Sequence, residues 1–293
     1  MKNILLLGYV VVTLLECSSC ASPQPEEDYG WLKSAIDTSV RQLEETVADI
    51  GDSVLLPRSI WTGYDIDFLC SQLQQNPMTF KDSLRVKPVT EVLGTRRYCT
   101  SIYDWTSGFF PGNLWLIYQI TGKENLKDAA IHFTNFLYPV RKYKGTHDIG
   151  FMMNCSYGNA YRLAPADSVR QALIQTADNL CGRFDSKIGC IRSWDFGRWN
   201  FPVIIDNMMN LDLLFYVYRL TGNPQYKEIA LQHARVTQQH QFREDYSSYH
   251  VVSYNDDRSV EEKCTHQGKN DDSAWARGQA WGVYGYTSCY RES

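Results

Sequence analysis

The sequence has little net charge and no long basic segment. Its 29 Lys and Arg residues stand against 33 Asp and Glu, a formal net charge of −4 over 293 residues. Proteins that bind nucleic acid normally carry a basic excess, so we expect no nucleic-acid partner. Aromatic residues make up 13% of the chain and hydrophobic residues 44%, whereas disordered chains are poor in both. We therefore expect a folded protein whose partners are sugars or other small molecules.

The sequence also lacks the residue spacing of a metal site. Its six histidines form no His-x-x-x-His pair, and no ligand-like spacing joins the seven cysteines that follow Cys20. Cys17 and Cys20 form a C-x-x-C pair, but it lies in a predicted export signal. We expect no metal and no cofactor. The odd number of cysteines after Cys20 argues for mostly buried thiols. Cys181 and Cys190 are the best local candidates for a disulfide.

No apolar run is long enough to span a bilayer, which takes about 20 residues. The longest, residues 4–15, follows Lys2 and precedes Cys17-Ser18-Ser19-Cys20. We interpret residues 1–20 as an export signal of the bacterial lipoprotein type, with a plain cleaved signal as the alternative. Residues 21–28 are then a tether and residues 29–293 the folded domain. The protein is expected in the periplasm or outer membrane of a Gram-negative bacterium, touching the membrane only through a lipid at Cys20.

Most of the sequence shows the apolar spacing of α-helices. From residue 29 to 50, apolar side chains recur every three or four positions and Gly51 ends the pattern. Seven further helices are predicted at residues 108–121, 124–138, 149–163, 167–184, 206–221, 224–242 and 274–291. No alternating pattern of any length predicts a strand. The long loops at residues 52–103, 185–205 and 243–273 are expected to be functional.

An internal repeat indicates how these helices are arranged. The residues Leu114, Tyr118, Thr121, Gly122, Lys127 and Ala130 recur as Leu214, Tyr218, Thr221, Gly222, Lys227 and Ala230. Each copy is an apolar helix, a Thr-Gly turn and a more polar helix that returns antiparallel. A tetratricopeptide repeat is the competing interpretation, but its period is about 34 residues.

Alternating inner and outer helices predict an all-α fold, a six-hairpin (α/α)6 barrel. About eight of its twelve helices are accounted for, so the barrel is expected to be incomplete at the C-terminal end. The apolar face of residues 274–291, with Trp281, Val283 and Tyr284, should then be partly exposed.

Two aspartates stand where inner helices are predicted to begin. Asp148 precedes the helix at residues 149–163, and Asp206 opens the one at residues 206–221. Either one alone is well explained as a helix N-cap. Asp206, however, follows an apolar run, where burial would raise the pKa of a lone carboxyl, as a general acid requires. Since both acids begin inner helices, we expect them at the same end of the barrel.

Other side chains suit an anionic sugar. Arg277 and Trp281 are spaced i and i+4, so they share one helix face, where an arginine fork beside a ring would bind a carboxylate. Trp105 precedes another inner helix. Each tryptophan taken singly is more often a core residue.

Four segments carry a resemblance to a known family. They are DWTSGFFPG at residues 104–112, THDIGFM at 146–152, RSWDFG with FPVIIDNMMNLDLL at 192–214, and HQGKNDDSAWARGQAWGVYGY at 266–286. Together they resemble the unsaturated glucuronyl hydrolases, glycoside hydrolase family 88. The resemblance implies an (α/α)6 barrel that acts on oligosaccharides left by polysaccharide lyases, which end in a 4,5-unsaturated uronic acid. The family continues beyond the segment matched by the last four residues, so positions that tune the preference for sulfation are expected to be missing.

The resemblance also implies roles for individual residues. Asp206 corresponds to the general acid and base, and Asp148 to the second catalytic carboxylate. The implied reaction protonates C4, adds water at C5 and so opens the ring and releases the sugar. The positions implied to bind substrate are His147, Trp105, His250, Gln267, Arg277 and Trp281.

Two other functions remain open from the sequence. A related family of barrels removes unsaturated rhamnogalacturonyl sugars from pectin fragments by the same chemistry. A catalytically inert glycan-binding lipoprotein would also be helical, rich in tryptophan and exported. The pair of aspartates distinguishes the enzymes from the binder, because a binder has no need of two carboxylates at one barrel mouth.

Overall fold

The computed structural model describes residues 29–51, 55–62, 85–87 and 95–293. The predicted export signal, the lipidation site and the tether lie outside these ranges. Eight α-helices occur in the described part of the chain, and each coincides with a predicted one. They are α1 Gly30–Ile50, α2 Phe109–Thr121, α3 Glu124–Phe136, α4 at residues 149–163, α5 Asp167–Cys181, α6 Asn207–Thr221, α7 Pro224–His240 and α8 Ala276–Glu292. A short 3-10 helix, Tyr138–Lys142, follows α3. Helix α4 is interrupted by a π-helical turn, Asn154–Gly158.

The two predicted Thr-Gly turns have the same structure. Gly122 after α2 and Gly222 after α6 adopt left-handed conformations, with φ of 69° and 73°. In both turns the threonine hydroxyl donates to the carbonyl four residues earlier and accepts from the backbone N–H two residues later. A side chain at either glycine would be strained at this φ, which is why the sequence repeats glycine there.

The hairpins α2–α3 and α6–α7 each pair an inner helix with an outer one. Helix α6 is buried on almost every side, whereas α7 buries only one face. The central core residues from α2, α4 and α6 include Leu114, Trp115, Met152, Leu211, Leu214 and Phe215. This alternation of inner and outer helices is that of an (α/α) barrel.

The structure adds three small antiparallel sheets that the sequence pattern did not predict. In the first, β1 Leu56–Thr62 and β2 Arg85–Lys87 flank β3 Thr95–Thr100. The second pairs β4 Phe184–Asp185 with β5 Cys190–Ile191. The third has the order β6 Phe201–Ile204, β7 Val251–Tyr254 and β8 Val260–Cys264. Most of these strands have only two to five residues, which is too short for an alternating pattern to be recognised in the sequence. They form because distant segments pair in the folded protein.

The third sheet joins the two long loops that follow α5 and α7. Ile204, the last residue of β6, pairs with Val251, the first residue of β7. The Ile205 amide also donates to the His250 carbonyl over 3.0 Å. Because the strands are antiparallel, the residues after β6 and before β7 lie at the same sheet edge. That edge brings Asp206 and His250 together.

The disulfide suggested for Cys181 and Cys190 is not formed, since both thiols are free. Burial raises the pKa of each to about 12, which keeps the reactive thiolate scarce. Val283 and Tyr284 of α8 are exposed, as predicted, whereas Trp281 is half-buried. None of the helices within the described ranges is long and apolar enough to cross a membrane.

Two glycines of α8 allow a stability test of the packing between α6 and α8. A Cβ at Gly285 would lie 2.4 Å from Met208 Cβ and 2.6 Å from the Met208 carbonyl oxygen. We expect Gly285→Ala to lower the free energy of unfolding by about 1 to 3 kcal/mol, because the clash involves backbone. The control is Gly282→Ala, whose Cβ would meet Ile205 at an ordinary 3.4 Å. Urea denaturation should show the control unchanged or slightly more stable, and equal losses would contradict this packing.

Candidate active site

Asp206 lies between β6 and α6 and is only 9% exposed. It occupies the N-cap position of α6, yet its side chain makes no capping hydrogen bond. Its Oδ2 atom is buried and has no hydrogen-bond partner. Burial, and secondarily the charge of Asp148, raises the pKa of Asp206 to about 7, which Arg277 and Trp281 partly offset. The carboxyl group can therefore hold or release a proton near neutral pH.

His250 faces Asp206, with its Nε2 atom 3.7 Å from Asp206 Oδ2. On the other side of the ring, Nδ1 accepts the backbone N–H groups of His266 and Gln267 at 2.9 and 3.2 Å. Two donors on Nδ1 leave the proton of the neutral ring on Nε2. Burial, with His266 and Arg277 next, lowers the pKa of His250 to about 3. The ring therefore presents an uncharged N–H group to the carboxyl of Asp206.

Asp148 lies at the start of α4 in a more polar environment. It too occupies an N-cap position without making a capping hydrogen bond. Its carboxylate accepts from the Thr146 hydroxyl over 3.0 Å and faces His147 Nε2 at 3.2 Å. The segment is held in place by the backbone, since Thr146 pairs with Trp194 and the His147 amide donates to the Ser193 carbonyl. For both aspartates, the structure excludes the simple N-cap interpretation.

Arg277, near the start of α8, is placed by uncharged groups. Its Nη2 donates to Gln267 Oε1 over 2.8 Å. The guanidinium carbon lies 4.4 Å from the ring centre of Trp275 and 5.1 Å from that of Trp105. Two aromatic faces and a neutral amide orient the guanidinium without neutralising its charge. It therefore remains available to an anion.

Aromatic rings form an apolar floor between these polar groups. Phe151 of α4 lies 6.3 Å from Trp281 and 5.6 Å from Phe109, in stacked orientations. Trp105 meets Phe151 edge-on at 6.2 Å. Trp105 is fixed by Asp104, which accepts the Thr106 amide at 2.9 Å and pairs with Arg58 at 3.4 Å.

All eight residues selected from the sequence lie in one connected cluster. Their positions are those of one site, whereas their individual roles stay a prediction. The sequence analysis did not select the aromatic group beside it. In that group Trp194 lies 5.6 Å from Trp199 and 5.4 Å from His266. Its signal was the density of aromatic residues in RSWDFGRWN, residues 192–200.

The arrangement separates the two carboxyl groups chemically. One is buried, lacks a donor for Oδ2 and titrates near neutral pH, while the other is partly exposed, accepts a hydrogen bond from Thr146 and faces His147. Such a division is typical of acid–base pairs in enzymes. Across the described ranges, no group of three or more His, Cys, Asp or Glu could hold a metal ion.

Comparison with known proteins gives the family. A family model described as Glycosyl Hydrolase Family 88 matches residues 88–292, well over half of the chain. The chain belongs to glycoside hydrolase family 88. A second model, described only as a domain of unknown function, matches residues 1–75.

Relatives within family 88 agree with the fold. The chain is 47% identical over 192 residues to an unsaturated glucuronyl hydrolase of Formosa agariphila, which covers 64% of this chain and 48% of the relative. It is 34% identical to an unsaturated chondroitin disaccharide hydrolase of Streptococcus pneumoniae, covering 78% and 59%. A solved structure described as an unsaturated glucuronyl hydrolase specific for heparin matches with a TM-score of 0.72 at 41% identity, covering 90% and 63%.

The likeness to this solved structure confirms the predicted (α/α) barrel. The chain spans about half the length of the curated family 88 relatives that it matches, between 48% and 59%.

The raised pKa of Asp206 predicts a pH-dependent cost to stability. The carboxyl ionises more readily in the unfolded chain, near its ordinary value of 3.8, than in the folded protein, near 7. The wild type therefore loses stability as pH rises from about 4 to about 7, by an amount on the order of 3 to 4 kcal/mol. We expect Asp206→Asn to remove this loss.

Urea denaturation of both proteins between pH 4 and 8 measures the effect. The variant should gain on the wild type by a few kcal/mol across this range. Titrating groups that do not face Asp206, such as His233, are present in both proteins and cancel in the difference. A difference in stability that stays constant with pH would show that Asp206 is not desolvated.

Proposed function

We propose that the protein is a hydrolase that releases 4,5-unsaturated uronic acid from the non-reducing end of lyase-generated oligosaccharides of the glycosaminoglycan type. The observation that carries the proposal is the buried Asp206 carboxyl, whose pKa lies near 7, beside a second carboxylate with different surroundings. The names of the relatives, which include glucuronyl and chondroitin disaccharide hydrolases, support the substrate class.

In the proposed reaction, protonated Asp206 donates its proton to C4 of the enol ether. The C4=C5 electron pair forms the new C4–H bond, and positive charge develops at C5 and the ring oxygen. The carboxylate of Asp148 stabilises this charge through its field. The uncharged N–H of His250 adds no positive charge beside the developing cation.

Water then attacks C5 and gives its proton to the Asp206 carboxylate, which restores the starting protonation state. The net change is addition of H at C4 and OH at C5. The resulting hemiketal opens the ring, and the hemiacetal left at C1 expels the next sugar. A group with a pKa near 7 suits both proton transfers, because it is easily protonated and deprotonated at working pH.

The remaining residues have proposed roles in binding. Arg277 pairs with the substrate carboxylate as a charge-assisted fork. Trp105 and Trp281 contact the sugar ring, and Gln267 and His147 lie within the same group of polar side chains.

The hydrolysis of unsaturated rhamnogalacturonyl fragments is the second candidate, since its chemistry would use the same two acids. Lyase-generated disaccharides from several glycosaminoglycans and from pectin separate the two. Turnover is followed by loss of the ultraviolet absorbance of the C4=C5 bond. Turnover of pectin fragments alone would favour the second candidate, and binding without turnover of any substrate would indicate a glycan-binding protein.

Asp206→Asn is expected to lower kcat by about 10² to 10⁴ and to leave substrate binding largely intact, because the amide keeps the shape but cannot cycle a proton. Asp148→Asn should also be severely impaired, because it removes the charge that faces the cation. The ultraviolet assay gives kcat and KM for each variant.

The matched control is Asp178→Asn on α5, whose carboxylate accepts a hydrogen bond from the Tyr226 hydroxyl over 2.6 Å. This variant should turn over at the wild-type rate, as should wild-type protein dialysed against EDTA. An Asp206→Asn variant with near-normal kcat would refute the mechanism, and activity lost in EDTA and restored by a divalent ion would show that it requires a metal.

We also propose that the protein is exported to the periplasm or outer membrane of a Gram-negative bacterium and is anchored there by a lipid at Cys20. The support is the charged start, apolar run and Ser18-Ser19-Cys20 of the N-terminal segment. Cys20→Ser should move the protein from the membrane fraction to the soluble fraction of the producing bacterium. If the wild type is itself found in the soluble fraction, the lipid anchor is refuted. Export is decided by whether that soluble fraction is periplasmic or cytoplasmic.

A further inference from the structure

The first turn of α4 receives its capping hydrogen bond from another helix. The Phe151 amide, which has no partner within α4, donates to Oδ1 of Asn210 on α6 over 3.0 Å. Asn210 is fully buried. Because the Asn210 side chain satisfies this donor, Asp148 at the N-cap position is not needed for it. Its carboxylate is left free for the site.

The same hydrogen bond fixes the orientation of the Asn210 amide. With Oδ1 on the Phe151 amide, the Nδ2 group must face His147 Nδ1, which lies 3.3 Å away. An amide NH₂ only donates, so His147 Nδ1 must accept and carries no proton. The proton of the neutral ring is then on Nε2, the atom 3.2 Å from Asp148 Oδ1.

Gly150 allows Asn210 to approach this closely. A Cβ at residue 150 would lie 2.5 Å from Asn210 Oδ1 and 2.9 Å from its Cα. Any larger residue would push the α4 backbone away from α6. The close approach of Asn210 therefore explains why residue 150 is a glycine.

We propose that Asn210 is a positioning residue for Asp148, which it controls by capping α4 from outside and by fixing the tautomer of His147. The proposal rests on the function proposed for the site, in which Asp148 acts as a carboxylate. Asn210 itself is not placed against the substrate.

The charges around His147 determine what a substitution would do. Burial lowers the pKa of His147. The Asp148 carboxylate and a side-chain hydrogen bond with Asn207 oppose this, and Arg183 adds to it. The other titratable neighbours are His233 and His250, each with a pKa lowered to about 3. The neighbours of Asp206 are Asp148, Arg277 and His250. His147 is therefore neutral between an amide and a carboxylate.

Asn210→Asp tests the proposal, because it exchanges the donor at Nδ1 for an acceptor of the same shape. One carboxylate oxygen still accepts the Phe151 amide, while the other draws a proton onto His147 Nδ1. We expect His147 to become imidazolium at neutral pH. Its positive charge would offset the field of Asp148, so that kcat falls by about tenfold to a hundredfold.

The protonation state of His147 gives a readout that a purely structural role would not move. The introduced carboxylate lies four residues after Asp206 at the start of α6, so its charge and that of the imidazolium act on the pKa of Asp206 in opposite directions. The test therefore reads His147 itself: its ring nitrogen shifts, measured by NMR without substrate, report the protonation state directly.

Two further variants complete the test. Asn179→Asp on α5, whose amide donates to the Arg141 carbonyl over 2.6 Å, is the matched control and should leave the His147 signals and kcat unchanged. Asn210→Ser, which is too short to reach His147, covers the case in which Asn210→Asp does not fold. It should keep His147 neutral, shift its Nδ1 resonance to that of an unbonded nitrogen and lower kcat.

The outcomes separate the two proposals. If His147 keeps its wild-type signals in a folded Asn210 variant, or if its signals change while kcat does not, the positioning role is overturned. If the wild type hydrolyses no unsaturated disaccharide, the proposed function fails, while the His147 signals still decide whether Asn210 fixes the tautomer.

Discussion

The carboxyl group of Asp206 is taken out of water without a hydrogen-bond donor for Oδ2. A buried carboxylate normally has partners, and one without them retains its proton to a higher pH. The surrounding structure maintains this state. The pairing of β6 with β7 brings His250 beside Asp206, and two backbone amides hold the His250 ring uncharged. Arg277, whose cation favours ionisation of Asp206 and partly offsets the effect of burial, is held by a neutral amide and two aromatic rings.

The second carboxylate, that of Asp148, has polar partners although its place in the fold is similar. Asp148 and Asp206 each precede an inner helix, and neither caps it. Around Asp148, the chain supplies a hydroxyl and an imidazole. Two equivalent positions in a repeated architecture thus acquire different chemistry from the loops attached to them, which is how a barrel supports an asymmetric site.

The helices could be predicted from the sequence because burial of one helix face requires apolar residues at every third or fourth position, and this spacing is visible in a single sequence. The Thr-Gly turns were visible because the left-handed backbone at residues 122 and 222 favours glycine. The aspartates were predicted from position, but an N-cap was the better explanation of either one taken singly, since only geometry shows whether a side chain turns back to its own helix. The contact of His250 with Asp206 depends on the register of short strands, and that of Asn210 with His147 on two helices distant in sequence. Neither leaves a local pattern.

The capping of α4 by a residue of α6 has a consequence for how the protein opens. The two α-helical segments of α4 have five residues each and are separated by the π-helical turn, and isolated helices of that length are unstable in water. Once α6 moves away, the Phe151 amide loses its acceptor, and the first turn of α4 keeps only its own backbone bonds and the links of Thr146 and His147 to Trp194 and Ser193. We therefore expect the two helices to open as one cooperative unit in native-state hydrogen exchange. Since Asp206 immediately precedes one helix and Asp148 the other, such an opening would separate both halves of the site together.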